Sequence, residues 1–408
     1  MLPALLRGSF GILLYAVSAN ALANGVGRLP ALGYNTWNAF GCNVNEDLVL
    51  EAAQLMVSLG LQDVGYEYVN VDDCYAEPTR NASGFLVANS VRFASGLKNL
   101  TDQIHALGFK AGIYSDSGWE TCGGFPGSFQ NEARDAATFQ EWGFEYLKFD
   151  NCNIPFDDII RQGMLGKYTR MADALIDLAN STGQPPFLFS LCQWVGNKYG
   201  SGDQLSAKLE GDIETNWASL ASIINFNSFI TQATDFFGHN DMDMLQLGNG
   251  GFTFDESKTH FTAWALMKSP ILIGTNEPQK TPKSSAINQD PVVGQSVSPF
   301  RWGLNPDFTS NSSFPAQFYS GPTQNGTVFM LINTLDQPED MFFNLTESPT
   351  YGPTPTMVPL YRNFTAAAVP SHGVVALLLQ DAGDEPAGIF PPCAVWDNCA
   401  FENGTAAN

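Results

Sequence analysis

From about residue 30 to residue 275 the apolar positions keep two rhythms in turn. Compact apolar runs near Ala31-Leu-Gly-Tyr34, Tyr66-Glu-Tyr-Val-Asn-Val71, Lys110-Ala-Gly-Ile-Tyr114, Glu145-Tyr-Leu-Lys-Phe149, Phe187-Leu-Phe-Ser-Leu191 and Pro270-Ile-Leu-Ile-Gly274 predict strands. Between them, residues 46–59, 97–106, 132–142, 164–179, 217–226 and 260–267 carry the spacing of amphipathic helices. Strands alternating with helices predict a parallel sheet, and about eight such units over some 250 residues predict a (β/α)8 TIM barrel. After about residue 292 the helical rhythm stops, and short runs such as Phe329-Met-Leu-Ile332 and 374–379 stand between turn residues. That texture predicts a C-terminal antiparallel β-sandwich over 292–383. The expected division is a leader at 1–23, a barrel at 24–291, the β domain, and a tail at 384–408.

Composition narrows the function. Hydrophobic residues are 44% and charged residues 15%, enough for a full core and too little charge for wholesale disorder. With 19 Lys+Arg against 41 Asp+Glu, the net charge is −22. Such a chain offers no basic stripe to neutralise phosphates, which excludes nucleic-acid and anionic-membrane partners. Thirty Phe and eight Trp supply aromatic faces suited to sugar rings. Arg7, the apolar stretch Phe10-Gly-Ile-Leu-Leu-Tyr-Ala-Val17 and the small residues Ala21 and Ala23 read as a secretory leader. Asn-x-Ser/Thr acceptors at Asn81, Asn99, Asn180, Asn311, Asn325, Asn344, Asn363 and Asn403 fit a secreted, extracellular glycoprotein. In that compartment seven cysteines imply three disulfides and one leftover thiol.

In a TIM barrel, chemistry sits at the C-terminal ends of the strands. Here those ends are acidic: Asp72-Asp73, Asp150, Asp212, and Asp241 with Asp243. One acid after a strand is ordinarily a helix N-cap. Four acidic strand ends on one rim instead make an anionic pocket suited to a developing cation. Glycoside hydrolysis needs two carboxylates on one bond, one protonating the leaving oxygen and one attacking or stabilising the oxocarbenium-like centre. Lys148 lies two residues before Asp150, so both face the same side of the strand, and the spacing predicts an ammonium close to Asp150. The four histidines, His105, His239, His260 and His372, have no metal-ligand spacing, no EF-hand loop accompanies the acids, and no P-loop or nucleophile elbow occurs. No metal or other cofactor is expected.

The segments Leu32-Gly-Tyr-Asn-Thr-Trp-Asn38, Tyr68-Val-Asn-Val-Asp-Asp-Cys74, Gly112-Ile-Tyr-Ser115, Tyr146-Leu-Lys-Phe-Asp-Asn-Cys152, Ser190-Leu-Cys-Gln-Trp194, Gly211-Asp-Ile213 and His239-Asn-Asp-Met-Asp-Met-Leu245 together resemble glycoside hydrolase family 27, the α-galactosidase (melibiase) family, especially its fungal secreted members. The resemblance runs over roughly residues 29–345. It implies retaining removal of terminal α-linked galactose from small or polymeric α-galactosides, with Asp150 as nucleophile and Asp212 as acid/base. It further implies that Asp72 and Asp73 bind the sugar's 4- and 6-hydroxyls, Trp37 packs on its C6 face, and Tyr114, Lys148 and Asp243 line the pocket. Cys192 and Trp194 would face the 2-hydroxyl and exclude a 2-acetamido group. The family pattern pairs Cys42 with Cys74 and Cys122 with Cys152, leaving Cys393 to pair with Cys399 and Cys192 free. Three features depart from the pattern. Lys208 stands where the family carries Arg, the segments 194–212 and 274–288 are short, and the C-terminal Asp-Val-Trp signature is not evident around residues 360–362. Other readings are a family relative with another sugar, a β-L-arabinopyranosidase or α-N-acetylgalactosaminidase, and a catalytically weak galactose-binding glycoprotein.

Overall fold

The computed structural model describes residues 25–192, 205–208, 212–276, 278–282, 286–301, 310–350 and 363–380. The leader, Trp194, the Cys393/Cys399 pair, Asn403 and the tail lie outside them. The expected alternation is present. Strands β1 (Leu32–Asn35), β2 (Tyr68–Val71), β3 (Lys110–Asp116), β4 (Tyr146–Asp150), β5 (Leu188–Leu191), β6 (Leu205–Lys208), β7 (Gly238–Asp241) and β8 (Ile271–Ile273) form one sheet. Every pairing in it is parallel, in the order β7-β6-β5-β4-β3-β2-β1-β8. The β7–β8 seam is closed just beyond β7, where Leu245 bridges Ile273 and donates its N–H to the Leu272 carbonyl at 2.8 Å. A parallel sheet curled back on itself in this way is a TIM barrel.

Helices α1 (Trp37–Phe40), α2 (Glu46–Ser58), α3 (Leu97–Ala106), α4 (Glu132–Glu141), α5 (Phe156–Thr182), α6 (Trp217–Ser228) and α7 (Phe254–Leu266) occupy the crossovers. Local chemistry sets several of their starts. Asn45 and Asn216 accept a backbone N–H at the first turns of α2 and α6, and Thr253 with Glu256 forms a reciprocal capping box on α7. The sequence rhythm starts a helix at Met164, whereas α5 begins at Phe156. Gly163, at φ 70° and ψ 178°, breaks the helix at that point. After β8 the described part of 274–288 holds a 3₁₀ turn, Pro278–Lys280, and the start of a further turn at 286–289, with no α-helix among the described residues.

Each strand sends alternate side chains to opposite faces, and the buried clusters record that period. Val69, Val71, Ala111, Ile113, Leu147, Phe149, Phe189, Leu191, Ile271 and Ile273 belong to the main core, where the sheet meets its helices. Tyr68, Tyr146, Leu188 and Leu272, the residues out of phase with them, form a separate cluster inside the barrel with Ala31 and Met244. Continuing that inner phase toward the C-terminal ends gives Asn70 and Asp72, Tyr114 and Asp116, Lys148 and Asp150, and Ser190 and Cys192. The acids therefore stand at the mouth because the same parity puts tyrosine and leucine in the floor.

The remaining strands are antiparallel. β9 (Ser298–Arg301), β10 (Phe318–Thr323), β11 (Gly326–Ile332) and β14 (Val374–Leu379) form a sheet in the order β14-β11-β10-β9, and β12 (Glu339–Asn344) pairs with β13 (Asn363–Val369). Along β11, Val328, Met330 and Ile332 join the barrel's main core, while Phe329 and Leu331 join a second core containing Met341 and Phe343 of β12. Burial on both faces explains an unbroken apolar run where alternation would otherwise be expected. His372, in the turn between β13 and β14, stacks on Trp217 of α6 with ring centroids 4.0 Å apart. Its Nδ1 lies 2.7 Å from Glu256 Oε1 on α7.

One glycine is fixed by close approach inside the barrel. A Cβ at Gly112 would stand 2.0 Å from Asn70 Oδ1, on the neighbouring strand and at the same register. Gly112→Ala is expected to cost about 1–3 kcal/mol through overpacking, with partial recovery in an Asn70→Ala, Gly112→Ala double variant. Urea unfolding measures both, and a single variant as stable as the parent would show that the barrel floor can yield there.

Candidate active site

The inner-facing residues at the strand ends meet in one hydrogen-bonded set. Asp72 is buried and accepts from Asn35 Nδ2 at 2.8 Å, from the Asp73 N–H at 2.9 Å and from Lys148 Nζ at 2.7 Å. Lys148, whose spacing placed its ammonium close to Asp150, makes an ion pair with Asp72, two strands away beyond β3. Lys148 also lies over the Tyr114 ring, 5.1 Å from its centroid.

Asp73 accepts backbone N–H groups from Gly123 at 2.7 Å and Cys74 at 2.6 Å. Burial raises its carboxyl above the usual aspartate value, with those two donors pulling the other way. Asp150 accepts from the Tyr114 hydroxyl at 3.0 Å and from the Asn151 N–H at 2.9 Å. Burial, reinforced by the charge of Asp150 and its acidic neighbours, pushes the Tyr114 phenol well above its ordinary value, so it stays a donor.

Asp243 binds the opposite side of the mouth. Its Oδ2 accepts the Ile213 N–H at 2.8 Å and its Oδ1 the Met244 N–H at 2.6 Å. The Asp243 backbone is left-handed at φ 80°, a conformation that costs a non-glycine residue about 1–3 kcal/mol. The indole N–H of Trp264 holds it there through the Asp243 carbonyl at 2.6 Å. Asp243 thus fixes the backbone immediately after Asp212, whose own side chain is exposed. Trp37 is half-buried at the start of α1, packed against the inner cluster. Cys192 is buried and outside both disulfides, and it lines a small cavity with Lys148, Asp241 and Asp243. Lys208 ends β6 in register with Asp241, and its side chain lies outside the described residues.

Two disulfides, Cys42–Cys74 and Cys122–Cys152, tie the loops around this mouth, matching the pairing that the family pattern implied. They close loops with sequence separations of 32 and 30, each worth about 3–4 kcal/mol of unfolded-chain entropy. The sequence reading overlooked Asp116. It is fully buried and accepts N–H groups from Gly118 at 2.7 Å and Cys152 at 2.8 Å. Its carboxylate, that of Asp150 and the sulfurs of Cys122 and Cys152 lie within 4.8 Å of one another. Because those sulfurs share a disulfide, the group has no thiolates for a metal. The signal for Asp116 was its place two residues beyond Tyr114, in the same inner phase. A further pocket, around Arg28, Glu67, Lys110 and Gln289, opens at the other end of the barrel, away from the acids.

Comparisons with known proteins give the family. The family model described as alpha galactosidase A matches residues 29–295. The chain belongs to that family, the melibiases of glycoside hydrolase family 27. A probable alpha-galactosidase B of Talaromyces emersonii is 40% identical over 371 residues, 79% of this chain and 81% of that protein. Among solved structures, alpha-galactosidase I of Mortierella vinacea superposes with TM-score 0.76 at 31% identity, covering 89% of this chain and 100% of its own. An α-galactosidase of Saccharomyces cerevisiae solved with raffinose gives TM-score 0.70 at 32% identity, covering 79% of this chain and 78% of its own.

Asp116 generates a pH prediction. Burial first, then the nearby charges of Asp150 and Asp73, push its carboxyl up to about 8 from 3.8, against the two backbone donors. A folded-state value raised in this way contributes stability that is complete below about pH 3.8 and is lost as pH rises toward 8. Asp116→Asn should abolish that decline. Urea midpoints for parent and variant between pH 4 and 8 measure it, and parallel curves would place the carboxyl near its ordinary value.

Proposed function

We propose that this melibiase-family chain is a glycoside hydrolase that removes terminal α-linked D-galactose from oligosaccharides, galactomannans or glycoconjugates. The observation that carries the proposal is the single mouth holding Asp72, Asp73, Tyr114, Lys148 and Asp150 together, with Asp243 fixing the segment that bears Asp212. The family assignment and the α-galactosidase relatives supply the sugar.

In the proposed retaining cycle the Asp150 carboxylate attacks C1 of galactose. The C1–oxygen bond to the leaving group breaks, and that oxygen takes the proton of Asp212. Water then gives a proton to Asp212 and attacks C1, releasing galactose and restoring Asp150. This geometry requires the two carboxyl groups to stand about 5–5.5 Å apart. Asp72 and Asp73 would accept the 4- and 6-hydroxyls, with Lys148 balancing the charge of Asp72. A pentose lacks the 6-hydroxyl, so this pair favours galactose over L-arabinose. Trp37 would pack on the C6 face, Tyr114 would steady Asp150, and Cys192, with Trp194 and Lys208, would face the 2-hydroxyl and disfavour a 2-acetamido group.

Secretion is part of the proposal. It is supported by the two disulfides and by six exposed acceptor asparagines, Asn81, Asn99, Asn180, Asn311, Asn325 and Asn363, with Asn344 half-buried. The proposed domain division, with the boundary near 291/292, places a sandwich after the barrel. Its support is Phe343 of β12, whose ring lies within about 6 Å of Phe300, Phe318 and Phe329 of the other sheet.

Turnover of a nitrophenyl glycoside panel, followed by proton NMR of the first-formed anomer, tests the function. Hydrolysis of the α-galactoside with α-galactose appearing first is expected, and Asp150→Asn should lose roughly a thousandfold or more in kcat. β-Galactose first would refute retention. Galactose binding without turnover on any glycoside would favour the lectin-like reading.

A further inference from the structure

Two carboxyl groups stand side by side at the mouth. Asp116 ends β3 and Asp150 ends β4, and the two residues are register partners in the parallel ladder. Both belong to the inner phase, and a carboxylate oxygen of one lies within 4.8 Å of one from the other. Ser117 ties the strand ends together, donating its N–H at 3.0 Å and its hydroxyl at 2.9 Å to the Asp150 carbonyl. The settings of the pair differ. Asp150 is half-buried and accepts from Tyr114 and Asn151, whereas Asp116 is wholly buried.

Like charges this close oppose each other, so one carboxyl of such a pair keeps its proton to higher pH. Burial selects Asp116 for that part, and the charges of Asp150 and Asp73 add to it, raising its carboxyl to about 8. The other groups around the pair are few. Tyr114 stays a neutral phenol, and the sulfurs of Cys122 and Cys152 are joined and do not titrate. Lys167 on α5 is buried over the Tyr168 ring, 4.5 Å from its centroid, and its Nζ has no hydrogen-bond partner among the described residues. Burial lowers that ammonium to about 8, against the charges of Cys192, Asp116 and Asp150.

We infer that Asp116 is a positioning residue for the second half of the proposed cycle, a carboxyl that must stay neutral for Asp150 to leave galactose as a carboxylate. It rests on the α-galactoside reading and on the nucleophile role proposed for Asp150. In the first step the Asp150 carboxylate bonds to C1 and its charge disappears into an ester. In the second step water attacks C1 and gives its proton to Asp212. The C1–Asp150 bond then breaks, and its electron pair returns to Asp150. A negative Asp116 alongside opposes that return of charge and leaves the first step unhindered. Ionisation of Asp116 therefore slows release of galactose without slowing its capture.

The probe is 5-fluoro-α-D-galactosyl fluoride. Its ring fluorine slows both steps and its fluoride leaving group speeds the first, so a galactosyl-enzyme accumulates. Intact-protein mass spectrometry follows formation of the adduct and, after the excess is removed, its decay between about pH 6 and 9. Decay in the parent is expected to slow about tenfold over that range, with formation not slowed. Asp116→Asn should level the decay. Decay in the parent that does not slow, or formation and decay slowing together, overturns the inference with no variant needed. Slowing that persists in Asp116→Asn and vanishes in Lys167→Met moves the role to the ammonium and also overturns it. No adduct on a parent that hydrolyses a nitrophenyl α-galactoside removes the covalent intermediate and the inference with it. A parent inert on that galactoside overturns the α-galactoside reading itself.

Discussion

The mouth of the barrel gathers buried carboxylates that must be held in a nearly dry space, and backbone N–H groups do most of the holding. Asp73 uses Gly123 and Cys74, Asp116 uses Gly118 and Cys152, and Asp243 uses Ile213 and Met244. Asp72 adds the Lys148 ammonium. A neutral amide holds a carboxyl group without placing a full positive charge beside it, though at Asp116 the two donors only partly offset the burial that pushes it up to about 8. The cost appears in the loops. Cys74 and Asp243 are left-handed at φ 73° and 80°, and Gly123 must lack a Cβ because one would stand 2.9 Å from Asp73 Oδ2. Disulfides at Cys74 and Cys152 hold two of these loops in shape. The rim is therefore rigid for an electrostatic reason.

The same constraint separates the two ends of the barrel. The floor is filled by Tyr68, Tyr146, Leu188 and Leu272, whose packing needs no counter-charge. Tyr68 and Tyr146 meet edge-to-face there, with centroids 5.4 Å apart. Above them Asn70 and Gly112 form a thin polar layer, and only then do the acids begin. An apolar plug below and donors above leave the carboxylates one direction to face, toward the open mouth.

Much of this was legible from residue order, because period and parity are local properties. Six of the eight barrel strands and the helix Leu97–Ala106 followed from rhythm alone, whereas β6 (Leu205-Ser-Ala-Lys208) and β7 (Gly238-His-Asn-Asp241) carry no apolar run to announce them. The inner face of Asp150 followed from its spacing to Lys148. The partner of Lys148 was not legible, since spacing gives a face but not the height at which side chains from other strands arrive. Asp116 was hidden for a related reason. In Ser115-Asp-Ser-Gly118 an aspartate before serine and glycine looks like turn chemistry, and only the length of β3, which runs to Asp116 itself, makes it an inward residue. The start of α5 was missed because Gly163 interrupts the pattern that a single helix would show. Asp243 resembled a pocket residue in sequence. Its grip on the Ile213 N–H joins segments 30 residues apart, which no local pattern encodes.

That grip bears on how the two proposed catalytic acids differ. A nucleophile works in one protonation state and gains from a fixed, partly dry setting, such as the one Tyr114 and Asn151 give Asp150. An acid/base group must lose and regain a proton within each cycle, which is fastest with solvent at hand. Asp212 is exposed while the residue after it is buried and anchored by Asp243. Asp243 anchors the chain beside the acid through the Ile213 N–H, so the backbone carries part of the positioning while the Asp212 side chain is exposed to water. The difference between the two carboxyl groups then comes from where each is held. A pair of identical residue types can take opposite roles at one anomeric carbon for that reason.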